Sequence, residues 1–137
     1  MNNRPSVCVV DASALIDSVL DPGALGRSTR ILLAGSQTHA PHLVDAEVGS
    51  VLRRIVLRGE LDPEVGATRL GQAQALVDVR HPMNGRLSAA AWKLRDEITF
   101  YDAMYVSLAA ALRQPLVTSD GRLAAAARRH CEIVNLT

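Results

Sequence analysis

With 137 residues, 15 basic side chains against 14 acidic ones and a net charge of +1, the chain fits one domain spanning residues 1–137 and buries about two-thirds of its unfolded surface without a staple. No stretch approaches the roughly 18 unbroken apolar residues that span a membrane, and the start at Met1–Arg4 is too short and polar for a targeting segment. Hydrophobic residues make up 48% but aromatic ones only 3%, so the core must be Ala, Val and Leu, which suits helices packed closely on a sheet. Residues 6–10 form an apolar run that ends at Asp11, the pattern of a strand buried on both faces of a parallel sheet. Residues 13–20 read as a short helix stopped by Asp21-Pro22-Gly23, residues 25–33 as a second helix and 38–41 as a strand.

From 44 to 57, Val44, Val48, Val51, Leu52 and Ile55 recur at helical spacing, and Gly59 closes that helix. Asp62-Pro63 opens another, with Asp at the cap and Pro in the first turn, carrying Val65, Leu70, Ala73 and Leu76. A strand at 76–79, a helix from 88 to about 95 and a long helix at 101–112 follow. The last elements are a strand at 115–118, a helix at 123–129 and a strand at 133–136. Strands alternating with helices imply an α/β layer fold with a mainly parallel sheet. Cys8 and Cys131 lie far apart in apolar runs without CxxC spacing, which fits buried thiols in a reducing cytoplasm.

Ligands in such sheets sit beyond the carboxyl ends of the strands. Asp11 and Asp120 each follow a strand there, Glu47 lies one turn into a helix and Asp102 begins the long helix. Each also has a structural reading, since Asp is a good N-cap and a first-turn acid is favoured by the helix dipole. If the four converge, their mutual repulsion calls for a cation. Hard oxygen donors suit Mg²⁺ or Mn²⁺, whose chemistry is phosphodiester hydrolysis.

Four blocks carry a resemblance. Val-Val-Asp-Ala-Ser-Ala-Leu, Pro-His-Leu-Val-Asp-Ala-Glu-Val, Tyr-Asp-Ala-Met-Tyr-Val-Ser-Leu-Ala and Leu-Val-Thr-Ser-Asp-Gly-Arg-Leu-Ala resemble, in order, the acidic motifs of PIN domains, from about residue 7 to 136. The last two, with Trp92-Lys93-Leu94-Arg95, look most like the small bacterial VapC toxins. The resemblance implies a three-layer fold, with helices flanking a central, mainly parallel sheet, and a Mg²⁺- or Mn²⁺-dependent endoribonuclease acting as the toxin of a toxin–antitoxin pair. It implies that Asp11, Asp102 and Asp120 bind the metal, with Glu47 directly or through water, and that Ser13 and Thr118 support them by hydrogen bonds. It also implies an RNA substrate, a cognate VapB-type antitoxin and a homodimer.

With the four motif acids neutralised, fifteen basic residues face the ten acids that remain, leaving +5, which favours a polyanion. Arg122 is a candidate for RNA contact, as are Arg53, Arg54 and Arg58, though a solvated helix face is the commoner use of such arginines. Asp45 reads as a first-turn acid rather than a ligand, and Asp96 and Glu97 as water-facing. His39 and His42 make a poor zinc pair, with no Cys or further His to complete a tetrahedron. Trp92, Tyr101 and Tyr105 could stack on bases, though core or interface packing is the more common use of such residues. Two other functions stay open. An aspartyl-nucleophile phosphatase would place a second Asp where Ser13 stands, and a catalytic Lys where the chain offers only Lys93. A catalytically silent PIN-like protein-binding module would use its acids only as caps.

Overall fold

Three fully buried residues, Cys8, Val9 and Val10, place the first strand at the centre of a sheet. That strand, β1 (Val7–Val10), leads into α1 (Ala12–Leu20) and α2 (Ala24–Ala34) in this computed structural model, which describes residues 5–136. Beyond them lie β2 (Gln37–Pro41), α3 (Leu43–Leu57), α4 (Pro63–Ala75), β3 (Val79–His81), α5 (Arg86–Trp92), α6 (Phe100–Leu112), β4 (Leu116–Thr118), α7 (Gly121–Ala127) and β5 (Ile133–Asn135). The expectation for Met1–Arg4 lies outside the described residues. No helix among them is long and apolar enough to cross a membrane.

All strand pairings are parallel, in the order β3-β2-β1-β4-β5. The chain therefore steps one way from β1 to β2 to β3, then returns across the sheet to β4 and steps the other way to β5. Right-handed crossovers put the helices of the two directions on opposite faces, the α/β layering expected from the alternation of elements. The order reverses between β1 and β4, and a crevice opens at the carboxyl ends of strands at such a reversal. Helix α1 packs on α2, α3 and α4, whereas α6 packs on α5 and crosses β1, β2 and β4. The core joins Leu15, Val44, Val48, Leu52, Val106, Leu116 and Val117, aliphatic as the composition requires. Cys8 is buried within it, Cys131 packs against it, and both are free; burial pushes both thiols up to about 11.

Two expected elements move most, and the last helix lies two residues earlier than expected, at Gly121–Ala127. The third strand is Val79–His81, not 76–79. Leu76 and Val77 instead complete the exit from α4, their amides donating to the carbonyls of Ala73 and Gln74, and Val77 drops into the core. An apolar run was thus a core anchor at a helix end, and the strand next to it carries the polar Arg80. Helix α5 ends at Trp92, short of the expected 95, because Lys93, Leu94 and Arg95 donate to carbonyls only three residues back, the tighter 3₁₀ pattern.

Candidate active site

Asp11 leaves β1 and Asp120 follows β4 through Ser119, on the two strands that flank the reversal. Both are helix N-caps. Asp11 Oδ1 accepts from the Ala14 amide at 3.0 Å and from Ser13 Oγ at 2.7 Å. Asp120 Oδ1 accepts from the amides of Arg122 and Leu123. Capping and site-building are therefore compatible, because each cap engages Oδ1 and leaves Oδ2 outside the helix end.

Thr118 ties the two strand ends together. Its hydroxyl donates to Asp11 Oδ2 at 2.5 Å and accepts from the Asp120 amide at 3.0 Å. Ser13 closes the loop, lying 3.2 Å from Thr118 Oγ1 and accepting from the Ser119 amide. Asp11 is 5% exposed, and burial pushes its carboxyl up to about 6 against the pull of Thr118, Ala14 and Ser13, with the charge of Asp120 raising it further. A carboxylate held by three donors and shielded this way is an anchored charge, poorly placed for nucleophilic attack.

Helices α3 and α6 bring the other two acids. Glu47 Oε1 accepts from the Tyr105 hydroxyl at 2.5 Å. Burial raises its pKa, the Tyr105 hydrogen bond opposes this, and the charge of Asp102 adds to the rise. Asp102 stands in the first turn of α6, whose cap Thr99 accepts from the Asp102 amide. Its pKa is raised by burial and then by Asp120, against Thr99 and Arg122. These couplings indicate that the acids sense one another across a shared space.

That space is a cleft of about 350 Å³ lined by Asp11, Ser13, Asp17, Glu47, Asp102, Tyr105, Ser119 and Asp120, together with Ala12, Ile16 and Val51. Five carboxylates and no basic residue line it. Such a wall repels anions until a cation compensates, and its all-oxygen donors match Mg²⁺ or Mn²⁺ better than a softer metal. Among the described residues no three of these groups close on a point as a ready-made cage.

The four acids proposed from sequence thus face one cleft, with Ser13 and Thr118 beside Asp11. Arg122 lines a neighbouring cleft of about 540 Å³ that shares Asp102 and Asp120 and adds Arg95. Arg53, Arg54 and Arg58 line neither cleft; all three are exposed, and Arg58 pairs with Glu60. Asp45 is a first-turn acid as expected, and its carboxylate grips Arg80. Asp96 and Glu97 are exposed as expected, and Glu97 also pairs at the surface with Arg129 and His130. Tyr105 is buried and holds Glu47, whereas Trp92 and Tyr101 are exposed and take no part in the core of this chain. Sequence reasoning missed Asp17 and the Tyr105–Glu47 bond. Tyr105 follows Asp102 by three residues, hence on the same helix face, and that spacing was the available signal.

Comparison with known proteins places this geometry. The PIN domain family model matches residues 8–129. Ribonuclease VapC1 of Mycobacterium tuberculosis is 49% identical over 126 residues, covering 92% of this chain and 95% of its own. Among solved structures, PAE2754 from Pyrobaculum aerophilum superposes with a TM-score of 0.72 at 23% identity, covering 93% of this chain and 88% of its own. A chain of VapBC2 from Rickettsia felis, solved bound to a DNA fragment from their promoter, gives 0.70 at 14%, covering 94% and 98%. The chain belongs to the PIN-domain family, as a VapC-type member.

Proposed function

We propose that the chain is a Mg²⁺- or Mn²⁺-dependent endoribonuclease that hydrolyses RNA phosphodiester bonds as the toxin of a toxin–antitoxin pair. One observation carries the chemistry: carboxylates from four separate elements line one cleft at the reversal of strand order, with no basic residue among them. The kinship with VapC1 supports RNA as the substrate. Asp11, Asp102 and Asp120 would hold the metal, with Glu47 directly or through water. When bound, Mg²⁺ or Mn²⁺ lowers the cost of charge on the phosphoryl oxygens and of deprotonating water.

The chain's own residues prepare that site. Ser13, Thr118 and the Ala14 amide fix the Asp11 carboxylate before substrate arrives, so no reorganisation is needed during reaction. Tyr105 fixes Glu47 in the same way. Arg122 lines the neighbouring cleft beside Asp102 and Asp120, where a phosphate of the strand can meet its guanidinium. A VapB-type antitoxin and a homodimer belong to the same reading, as does a cytoplasmic location in which Cys8 and Cys131 remain thiols.

The test is cleavage of single-stranded RNA by wild type, Asp11→Asn and Asp102→Asn, each with Mg²⁺, Mn²⁺ or EDTA. Wild type should cut only with the divalent ion, and each variant should lose on the order of 100-fold or more in rate. Equal cutting by both variants would remove the metal-nuclease reading. Absence of cutting by wild type, together with no rise of its thermal midpoint on adding either ion, would favour a silent binding module instead.

A further inference from the structure

The chain spends its few aromatic residues in an unexpected place. It has one Trp, two Tyr and one Phe, and of these only Tyr105 enters the core. Trp92 is 60% exposed, Phe100 42% and Tyr101 62%, and all three fall between the end of α5 and the start of α6. The aliphatic core of the chain gives these large rings no reason to stand there. Three exposed rings this near one another in the chain are a candidate binding face.

The position relative to the acids says what. The Arg95 guanidinium lies over the Trp92 ring, 5.2 Å from its centroid, and donates to the Trp92 carbonyl at 3.1 Å. Arg95 also lines the 540 Å³ cleft that shares Asp102 and Asp120 with the acidic cleft, and Arg122 lines it too. An aromatic ring is therefore stacked against a cation that lines the cleft next to the acidic one, a combination that serves single strands. The ring offers a sequence-tolerant face to a base, and the guanidinium meets the backbone.

We propose that Trp92, backed by Arg95, is a stacking platform for an unpaired nucleobase next to the scissile phosphate, so that the enzyme selects single-stranded RNA at this position. The inference rests on the ribonuclease reading. Trp92 binds substrate and takes no part in the chemical step. Its replacement should raise KM and leave kcat close to wild type, the signature of uniform binding.

Trp92 is the sole tryptophan, so its fluorescence reports on this ring alone. The probe is a 2′-O-methyl oligoribonucleotide carrying a fluorescent label, titrated with Mg²⁺ present, against a strand of equal length with abasic central positions. The base-bearing strand should quench Trp92 and the abasic strand should not. By anisotropy, Trp92→Ala should bind the base-bearing strand about 5- to 100-fold more weakly and the abasic strand as wild type does, whereas Trp92→Phe should keep most of the affinity. Binding without quenching, with Trp92→Ala unchanged, would overturn the platform and leave the ribonuclease intact. Emission that follows protein concentration rather than RNA, with a lighter sedimenting species for Trp92→Ala, would give this face to a second copy and overturn it equally. Failure of wild type to bind or cut RNA at all would remove the ribonuclease reading, and the platform with it.

Discussion

Asp11 does two jobs with one carboxylate. Oδ1 closes the amino end of α1, and Oδ2 meets Thr118 from the neighbouring strand. The cap costs the site nothing because the helix takes only one edge of the group. Burial lifts its carboxyl to about 6 from an ordinary 3.8, and the sign of the consequence is fixed. A carboxyl whose folded value is raised favours the protonated native state, so this contribution is whole below about 3.8 and is lost as the pH rises through about 6. Without a divalent ion, the thermal midpoint of wild type should fall between pH 4 and 8, and Asp11→Asn should show a flatter profile. Mg²⁺ should restore wild type mainly above pH 6, where the carboxylate is free of its proton, and leave Asp11→Asn unmoved. A flat metal-free wild-type profile would contradict the burial argument. Position and residue type were legible here, since an Asp after a buried strand is visible in any sequence. The Thr118 bond was legible only through the family resemblance, because it joins residues 107 apart and depends on β1 lying beside β4.

The junction of α3, α4 and β3 is where reading by pattern failed, and it failed for a physical reason. Hydrophobic periodicity sees Leu76 and Val77 as a strand, but it cannot weigh what lies after them. Arg80 Nε and Nη2 donate to the two oxygens of Asp45 at 2.6 and 2.9 Å, and the same guanidinium reaches the carbonyls of Val77 and Gln74. One side chain thus fastens the edge strand to the first turn of α3 and to the end of α4, which is why a polar residue belongs in β3. Likewise, His39 meets His81 at 2.8 Å with their rings stacked, a pairing that only the β2–β3 register creates. The helices were legible because their caps and periodicities are local; the short edge strand was not, because its partners are distant. Lysine at position 80 keeps the charge but has no fork with which to bridge both oxygens and two carbonyls. With the pair about one-quarter to one-third exposed, solvent screening limits the loss, and Arg80→Lys should cost about 1 kcal/mol in denaturant unfolding. Since α3 carries Glu47 two residues beyond Asp45, cleavage should also slow. An unchanged midpoint and rate would show that β3 is held by its backbone ladder alone.

Across the whole molecule, a near-neutral chain is organised into a sharply polarised one. Strand order 3-2-1-4-5 collects acids from the two halves of the chain at one reversal, and the net charge of +1 conceals that concentration. Alternation of elements made the parallel sheet legible and the motif order made the site legible. The order of strands, and so the reason the acids meet, required the fold itself. The same polarity governs how RNA can approach. The acidic cleft repels phosphates, and of its neighbour's charged residues Glu97 is already engaged by Arg129 and His130, leaving Arg95 and Arg122 to oppose Asp96, Asp102 and Asp120. RNA should therefore bind weakly in EDTA and more tightly once a divalent ion offsets the carboxylates. With Mg²⁺ held constant, each phosphate met by an arginine should contribute about 0.7 to the slope of log affinity against log salt for a single strand. Arg122→Ala should then weaken RNA binding and flatten that slope by about 0.7, whereas Arg53→Ala, on the exposed face of α3, should change neither. Equal slopes for wild type and Arg122→Ala would take Arg122 out of the RNA path, and an effect from Arg53→Ala of the same size would move that path onto α3.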